Sequence, residues 1–205
     1  MDGQWLKNKW WWLTMQSRAC VLSRRKGDDA RFIRTVWARE GFVRDFHRLA
    51  RPLPKADKEL VRVLNSEYWQ TIDQSRAIHW IVRSADNCPW GLLSLTDLSL
   101  QHRRGEVLLG ILPGAPFGLG AAAMLMLFHF YFRLMKFHKL YSLVFSDNVH
   151  SLKGTLHLGF TQEGVLRQHV FDPVALVYQD LIQTGLLAQD AFSEKNIKLM
   201  NRLLK

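Results

Sequence analysis

At 205 residues the chain fits one ordinary domain with short additions at its ends, long enough to bury a real core. Hydrophobic residues make up 48% and charged residues 22%, which excludes a disordered chain. Lys and Arg number 28 against 18 Asp and Glu, a net charge of +10 that attracts polyanions (nucleic acid, anionic lipid, an acidic carrier protein or a phosphorylated cofactor) without choosing among them.

The elements follow in chain order. The start, "MDGQWLKNKWWWLTMQSR", has neither a sustained apolar core nor a small-residue cleavage site and does not read as a secretory signal. Its consecutive indoles, Trp10, Trp11 and Trp12, cannot all face one core, which suits a clamp over the fold, a homodimer contact, a substrate lid or a membrane-surface anchor. "RACVLSR" at 18–24 suits a first strand. "GDDARFIRTVWA" reads as a helix with Asp28 or Asp29 as N-cap and Phe32, Ile33, Val36 and Trp37 on one face. A short helix ended by Pro52 and Pro54 and a further helix in "KADKELVRVLNSEYW" follow. "AIHWIVRSADNCPWGLLSLTDLSL" gives a hairpin turning at 86–89.

The run 107–132 carries no charged side chain and is long enough to cross a bilayer. Gly110, Pro113, Gly114, Pro116, Gly118 and Gly120 crowd its middle, where a spanning helix must be continuous. It therefore reads as strand ("GEVLLGIL"), glycine-rich turn and buried helix of about a dozen residues, and the protein as not transmembrane. The turn brings backbone close to a ligand, and the unpaired amides of the next helix form a cradle for phosphate. "KLYSLVFS" is a buried strand, "NVHSLKGTLHLGF" a helix closed by Gly159, and "EGVLRQHVF" a last alternating strand. "EKNIKLMNRLLK" is a basic amphipathic helix. Two cysteines, Cys20 and Cys88, show no CxxC and no metal-ligand spacing, consistent with reduced thiols in a cytoplasmic protein and no metal.

This order, with "FGLGAAAMLMLFHFYF" at 117–132, then Asn148, Ser151, "LGF" at 158–160, Glu163, Gly164 and Arg167, resembles the GCN5-related N-acetyltransferase (GNAT) family. "GDDARFI" at 27–33 is similar to the opening helix of its ribosomal-protein alanine N-acetyltransferase branch. The resemblance implies an α/β (α+β) fold whose mixed, mostly antiparallel sheet splays between its fourth and fifth strands, flanked by helices, with acyl-coenzyme A wedged in the gap. It divides the chain into a Trp-rich extension at 1–16, an acyltransferase domain at 17–185 and a basic C-terminal helix at 186–205.

Acetyl-CoA, or a longer acyl-CoA, is then the co-substrate, and a primary amine on a small molecule or peptide the acceptor. The family's Q/R-x-x-G-x-G/A loop falls on Ala115, Gly118 and Gly120, so the missing Gln or Arg leaves the pyrophosphate to the backbone amides of Phe117, Gly118, Leu119, Gly120 and Ala121. The acyl carbonyl is implied to sit on a strand amide among Gly110, Ile111 and Leu112. An alkyl ammonium with pKa near 10.4 needs help to lose its proton. Glu106 is the first candidate base, with His79 and His129 behind it. The family's general-acid tyrosine position is Thr155 here, which leaves Ser151 to donate to the sulfur and Asn148 to touch the pantetheine amides.

The absence of a required cysteine favours direct attack in a ternary complex over an acyl-enzyme. Three alternatives stand beside this reading: a longer fatty acyl donor on CoA or an acidic acyl carrier protein, a non-catalytic CoA-binding or partner-binding module of the same fold, and nucleic-acid or membrane-surface binding. The last rests on charge alone, and without an RNA-binding signature no nucleic acid is expected.

Overall fold

The computed structural model describes residues 12–39, 41–46, 52–172 and 175–205. Among the described residues eight strands form one sheet: β1 (Met15–Gln16), β2 (Cys20–Arg24), β3 (Ile78–Ser84), β4 (Pro89–Ser99), β5 (Arg104–Ile111), β6 (Lys139–Phe145), β7 (Thr161–Asp172) and β8 (Val177–Leu187). Their spatial order is β1-β2-β3-β4-β5-β6-β8-β7. All neighbours are antiparallel except β5 and β6. Since β1 is a two-residue addition, the fourth and fifth strands counted from the sequence are β5 and β6.

The strand in "EGVLRQHVF", expected to be the last, is β7, and β8 follows it and lies between it and β6. Sequence reasoning misses β8 because doublets such as Leu181–Ile182 and Leu186–Leu187 break simple alternation. The strand is interior, with Leu181, Thr184 and Leu186 fully buried, and an interior strand need not alternate.

Helices cover both faces. α1 (Ala30–Trp37), α2 (Phe42–Phe46) and α3 (Asp57–Trp69) lie on one side, where Ile33, Val36, Phe46, Leu60 and Leu64 pack on Ile81, Leu92, Leu108 and Leu112. A single turn, α4 (Ile72–Ser75), leads into β3. The other side carries α5 (Leu119–Phe128), which continues as a π-helical turn over His129–Leu134. α5 is apolar around its whole circumference because it is enclosed by the sheet and by α8 (Glu194–Leu203). His129 falls on the exposed side of the π turn, not inside a buried helix as expected, because the wider turn rotates it outward. α6 (Val149–His157) follows β6, and α7 (Ala188–Ala191) leads into α8.

The expected N-cap also differs. A 3-10 turn at Gly27–Asp29 precedes α1, and Asp29 turns its carboxylate back to accept the Lys26 amide at 3.0 Å and to pair with Arg83. Neither Asp28 nor Asp29 caps α1 through its side chain; Asp29 serves instead as the acid of a capping box around the 3-10 turn. Trp12 donates its indole N–H to the Tyr68 carbonyl at 2.7 Å and lies 6.5 Å from the Trp69 ring, while Trp10 and Trp11 lie outside the described residues.

The only parallel pairing among the described residues is short. Arg104, Gly105 and Glu106 of β5 align with Lys139, Leu140 and Tyr141 of β6, and the strands then part. A polar clasp closes this end: the Tyr141 hydroxyl donates to Asp97 Oδ2 at 2.6 Å, Arg104 donates to the same oxygen at 2.7 Å, and the guanidinium lies over the Tyr141 ring. These donors, the Tyr141 hydroxyl foremost, hold the Asp97 carboxyl below its ordinary range against its partial burial.

Two outcomes follow. Cys20 is fully buried, its thiol pushed up to about 12 by burial, and Cys88 is exposed, so a maleimide should label Cys88 rapidly and Cys20 only after unfolding. Tyr141→Phe should lower stability near neutral pH by up to about 1 kcal/mol, a modest loss because Asp97 is largely solvated. A depressed carboxyl contributes stability above its unfolded pKa and loses it as pH falls through the folded pKa, so denaturant melts of the two proteins should converge in acid.

Candidate active site

Beyond Glu106 and Tyr141, residues 107–111 of β5 and 142–145 of β6 have no ladder between them, while β6 stays paired to β8 along its whole length. The result is a wedge-shaped gap inside the sheet, closed at Glu106 and open toward the turn that begins at Leu112. Backbone groups on the two inner edges are therefore available to a ligand.

Which groups these are follows from the β4–β5 ladder. The Leu112 amide donates to the Trp90 carbonyl at 2.8 Å, so in an antiparallel pair Leu112, Gly110 and Leu108 bond toward β4. The intervening Val107, Leu109 and Ile111 face away from β4: the Val107 amide closes the short ladder with Tyr141, and those of Leu109 and Ile111 point into the gap. Of the expected trio, Gly110 and Leu112 are thus committed to β4 and Ile111 alone offers a free-edge amide. Leu109, which sequence reasoning passed over, offers the same group deeper in; only the ladder register distinguishes it.

The open end is formed by the glycine turn. Gly118 takes φ +82° at the N-cap of α5, a conformation that a side chain would strain. The Leu119 amide folds back to the Pro116 carbonyl at 3.1 Å and the Ala122 amide to the Gly118 carbonyl at 2.9 Å. That leaves Gly120 and Ala121 as the donors at the positive end of α5. Phe117 projects fully into solvent at the tip of the turn.

α2 lies over the gap from the other layer. A side-chain carbon at Gly110 would stand 2.6 Å from the Phe42 ring, so this position must stay bare for α2 to seat on β5. From the same helix Arg44 reaches β6, with its guanidinium 4.9 Å from the Phe145 ring centre. It pairs with Asp147 at 2.7 Å and with Asp45 and Asp172 at 3.3 Å. Three carboxylates around one guanidinium make this corner acidic in an otherwise basic protein. Burial raises the Asp45 carboxyl, opposed by Arg44.

Glu106 is buried at the closed end on the α1–α3 face, with the Thr96 hydroxyl 3.4 Å from its carboxylate. His79 lies on the same face in β3, where its Nδ1 is 2.8 Å from the Ser94 hydroxyl, itself buried. Along the strand Glu106 is ~16 Å from Ile111 but ~10 Å from Leu109. Ser151 and Asn148 come together at the start of α6. Asn148 Oδ1 accepts the Ser151 amide at 3.0 Å as a true N-cap, which leaves the Asn148 amide nitrogen as its donor. Thr155 lies one turn further along the same half-buried side of α6. The sequence-derived residues thus divide among the closed end of the gap (Glu106), its inner edge (Ile111), the open turn (117–121) and the start of the helix that follows β6 (Asn148, Ser151).

Among the described residues no helix is long and apolar enough to cross a membrane. A search of curated proteins finds no match. The sequence model of the acetyltransferase (GNAT) domain matches residues 21–161. Among solved structures, a dodecameric spermidine N-acetyltransferase from Vibrio cholerae is similar at 22% identity and TM-score 0.69, covering 85% of this chain and 96% of that one. The spermidine/spermine N-acetyltransferase SpeG from Vibrio cholerae in complex with manganese ions matches at 20% identity and TM-score 0.67, over 90% and 96% of the chains. At such identities the likeness concerns the fold. Together with the splayed sheet and its glycine turn, the domain match shows that this chain belongs to the GNAT acetyltransferase family, as an acyl-CoA-dependent N-acyltransferase.

Proposed function

We propose that the gap holds the pantetheine arm of acetyl-CoA along the inner edge of β5 and that a primary amine enters beneath α2. The observation that carries this reading is the divergence of β5 and β6 immediately above a buried carboxylate, with a donor-rich helix terminus at the open end. Gly120 and Ala121 amides then receive the pyrophosphate, and the Asn148 side-chain amide borders the pantetheine.

Glu106 acts as the base, taking the ammonium proton directly or through one water, so that the neutral nitrogen attacks the thioester carbonyl carbon. A base at Glu106 and an oxyanion donor at Ile111 are too far apart to serve one reacting centre; Leu109, whose amide faces the gap nearer to Glu106, is the better donor. The C–S bond breaks as the C–N bond forms. Ser151 donates to the departing sulfur, whose thiol pKa near 8.5 already makes the thiolate a fair leaving group.

Asp45, Asp147 and Asp172 favour a positively charged acceptor, in keeping with the spermidine named for the structural neighbours. The ribosomal-protein branch, suggested by "GDDARFI", would place a peptide N-terminus in the same corner, and the distinction is one of acceptor only. The free thiols of Cys20 and Cys88 are in keeping with a cytoplasmic setting, and a longer acyl group on CoA is the alternative donor.

Acetyl-CoA at a hundred times its Kd should stabilise the fold by about 2.7 kcal/mol, seen as a rise in Tm; a rise confined to long-chain acyl-CoA would move the reading to a fatty acyl donor. Gly118→Ala should cost about 1–2 kcal/mol through its positive φ and weaken that ligand-induced shift, checked by melts with and without acetyl-CoA. With a polyamine acceptor, Glu106→Gln should reduce kcat by about a hundredfold or more and flatten its pH dependence. Ser151→Ala should reduce it by less than about tenfold. Unchanged kcat across pH in both variants would remove the assigned roles.

A further inference from the structure

The turn at Gly118 lacks the Gln or Arg side chain that the family's loop pattern places at the position of Ala115, yet the face beside it is strongly basic. α8 packs on α5 through Leu199, Met200 and Leu203. Leu203 lies 3.4 Å from where a side-chain carbon at Gly118 would stand, which brings the last turn of α8 against the base of the cradle. From there Arg202, Lys198 and Lys195 recede along one side of the helix at spacings of four and three residues, the repeat of a single face. With His157 and Leu199 they line a surface cavity of about 630 Å3, whose one carboxylate is Glu194.

The charges around that cavity are unevenly engaged. Glu194 pairs with Lys198 one turn along the helix, and Lys195 donates to the His157 carbonyl at 2.6 Å. Arg202 has no ion-pair or hydrogen-bond partner among the described residues. Three cations against one carboxylate leave a surplus of positive charge, on a helix whose C-terminal end also favours cations. A polyanionic group seated here would satisfy Arg202 and compete with Glu194 for Lys198. Two turns of helix, ~10 Å, separate Lys195 from Arg202, within reach of a ligand whose pyrophosphate rests on α5.

From this arrangement we infer that Lys198 and Arg202 of the C-terminal helix bind the 3′-phosphate of the coenzyme A nucleotide, supplying from outside the turn side-chain donors that Ala115 does not. This inference rests on the acyl-CoA reading of the gap. It assigns to α8 a direct part in donor recognition: a 3′-phosphorylated ADP moiety is selected over a plain ADP moiety by contacts that the glycine turn, made of backbone amides, cannot discriminate.

The test is calorimetric and needs no turnover. Binding of CoA and of 3′-dephospho-CoA is measured at fixed ionic strength for the full chain, for Lys198→Ala/Arg202→Ala, and for Lys58→Ala/Arg62→Ala on α3 as a charge-matched control. The full chain and the α3 control should prefer CoA by about tenfold, the return expected from two solvent-exposed ion pairs. The α8 variant should bind both ligands alike, at the affinity the full chain shows for 3′-dephospho-CoA, and raised salt should erase the preference. Equal binding of the two ligands by the full chain, or a preference that survives in the α8 variant, overturns the inference while leaving the CoA-binding gap intact. Failure of the full chain to bind either ligand overturns the acyl-CoA reading and this inference together.

Discussion

The short parallel ladder between β5 and β6 is the constraint from which the rest of the molecule follows. Pairing at Arg104, Gly105 and Glu106 fixes where the two strands meet, and every feature of the site is defined by distance from that point. Both strands are anchored on their outer sides, β5 to β4 and β6 to β8, so the gap between them cannot close by sliding one strand across. The Asp97–Tyr141–Arg104 clasp pins the closed end, and the apolar packing of α5 below and of α2 above holds the walls. A sheet that leaves backbone amides unpaired along an interior edge carries a desolvation cost unless something polar occupies the opening. The pantetheine arm proposed to run along β5 would meet that requirement, which joins the opening and the chemistry in one piece of geometry.

Electrostatics then divides the molecule by task. The open turn and the adjoining face of α8 are positive, from a helix N-terminus and from lysine and arginine side chains. The corner under α2 is negative, with three carboxylates gathered on Arg44. The net charge of +10 conceals this division, since a sum over the chain says nothing about where the acidic residues collect. A polyanionic donor and a cationic acceptor would be drawn to opposite faces of the sheet at the open end of the gap, so neither obstructs the other. Arg44 has a structural part as well, joining α2 to β6 through Phe145 and Asp147, which keeps the roof of the gap in register with its far wall.

What could be read in advance depended on how local each signal is. The glycine turn, the apolar α5 and the hairpin of β3 and β4 were legible because each is decided within about a dozen residues, by φ requirements, by uniform apolarity and by alternation around a turn. β8 was missed, as its doublets of apolar residues and its interleaved Gln and Asp make sense only for a strand with neighbours on both sides. His129 was placed in a buried helix since periodicity assumes 3.6 residues per turn, and the π turn breaks that assumption exactly where His129 falls. Asp29 was given to the wrong cap because its partners, the Lys26 amide and Arg83, lie outside the helix it was expected to start.

The sequence by itself determined the order of the elements up to β7 and the glycine turn, because residue type and spacing carry those directly, and its resemblance to the family supplied the candidacy of Glu106, Asn148 and Ser151. Only the tertiary structure decided which strand amides face the gap, since one hydrogen bond from Leu112 to Trp90 sets the register of β5, and a shift of one residue would exchange every inward group for an outward one. It also decided that Arg44, Asp45, Asp147 and Asp172 meet, and that α8 lies beside Gly118, for these are contacts between segments far apart in the chain. Long-range contacts are fixed by packing over the whole core, a quantity that no local window of sequence contains.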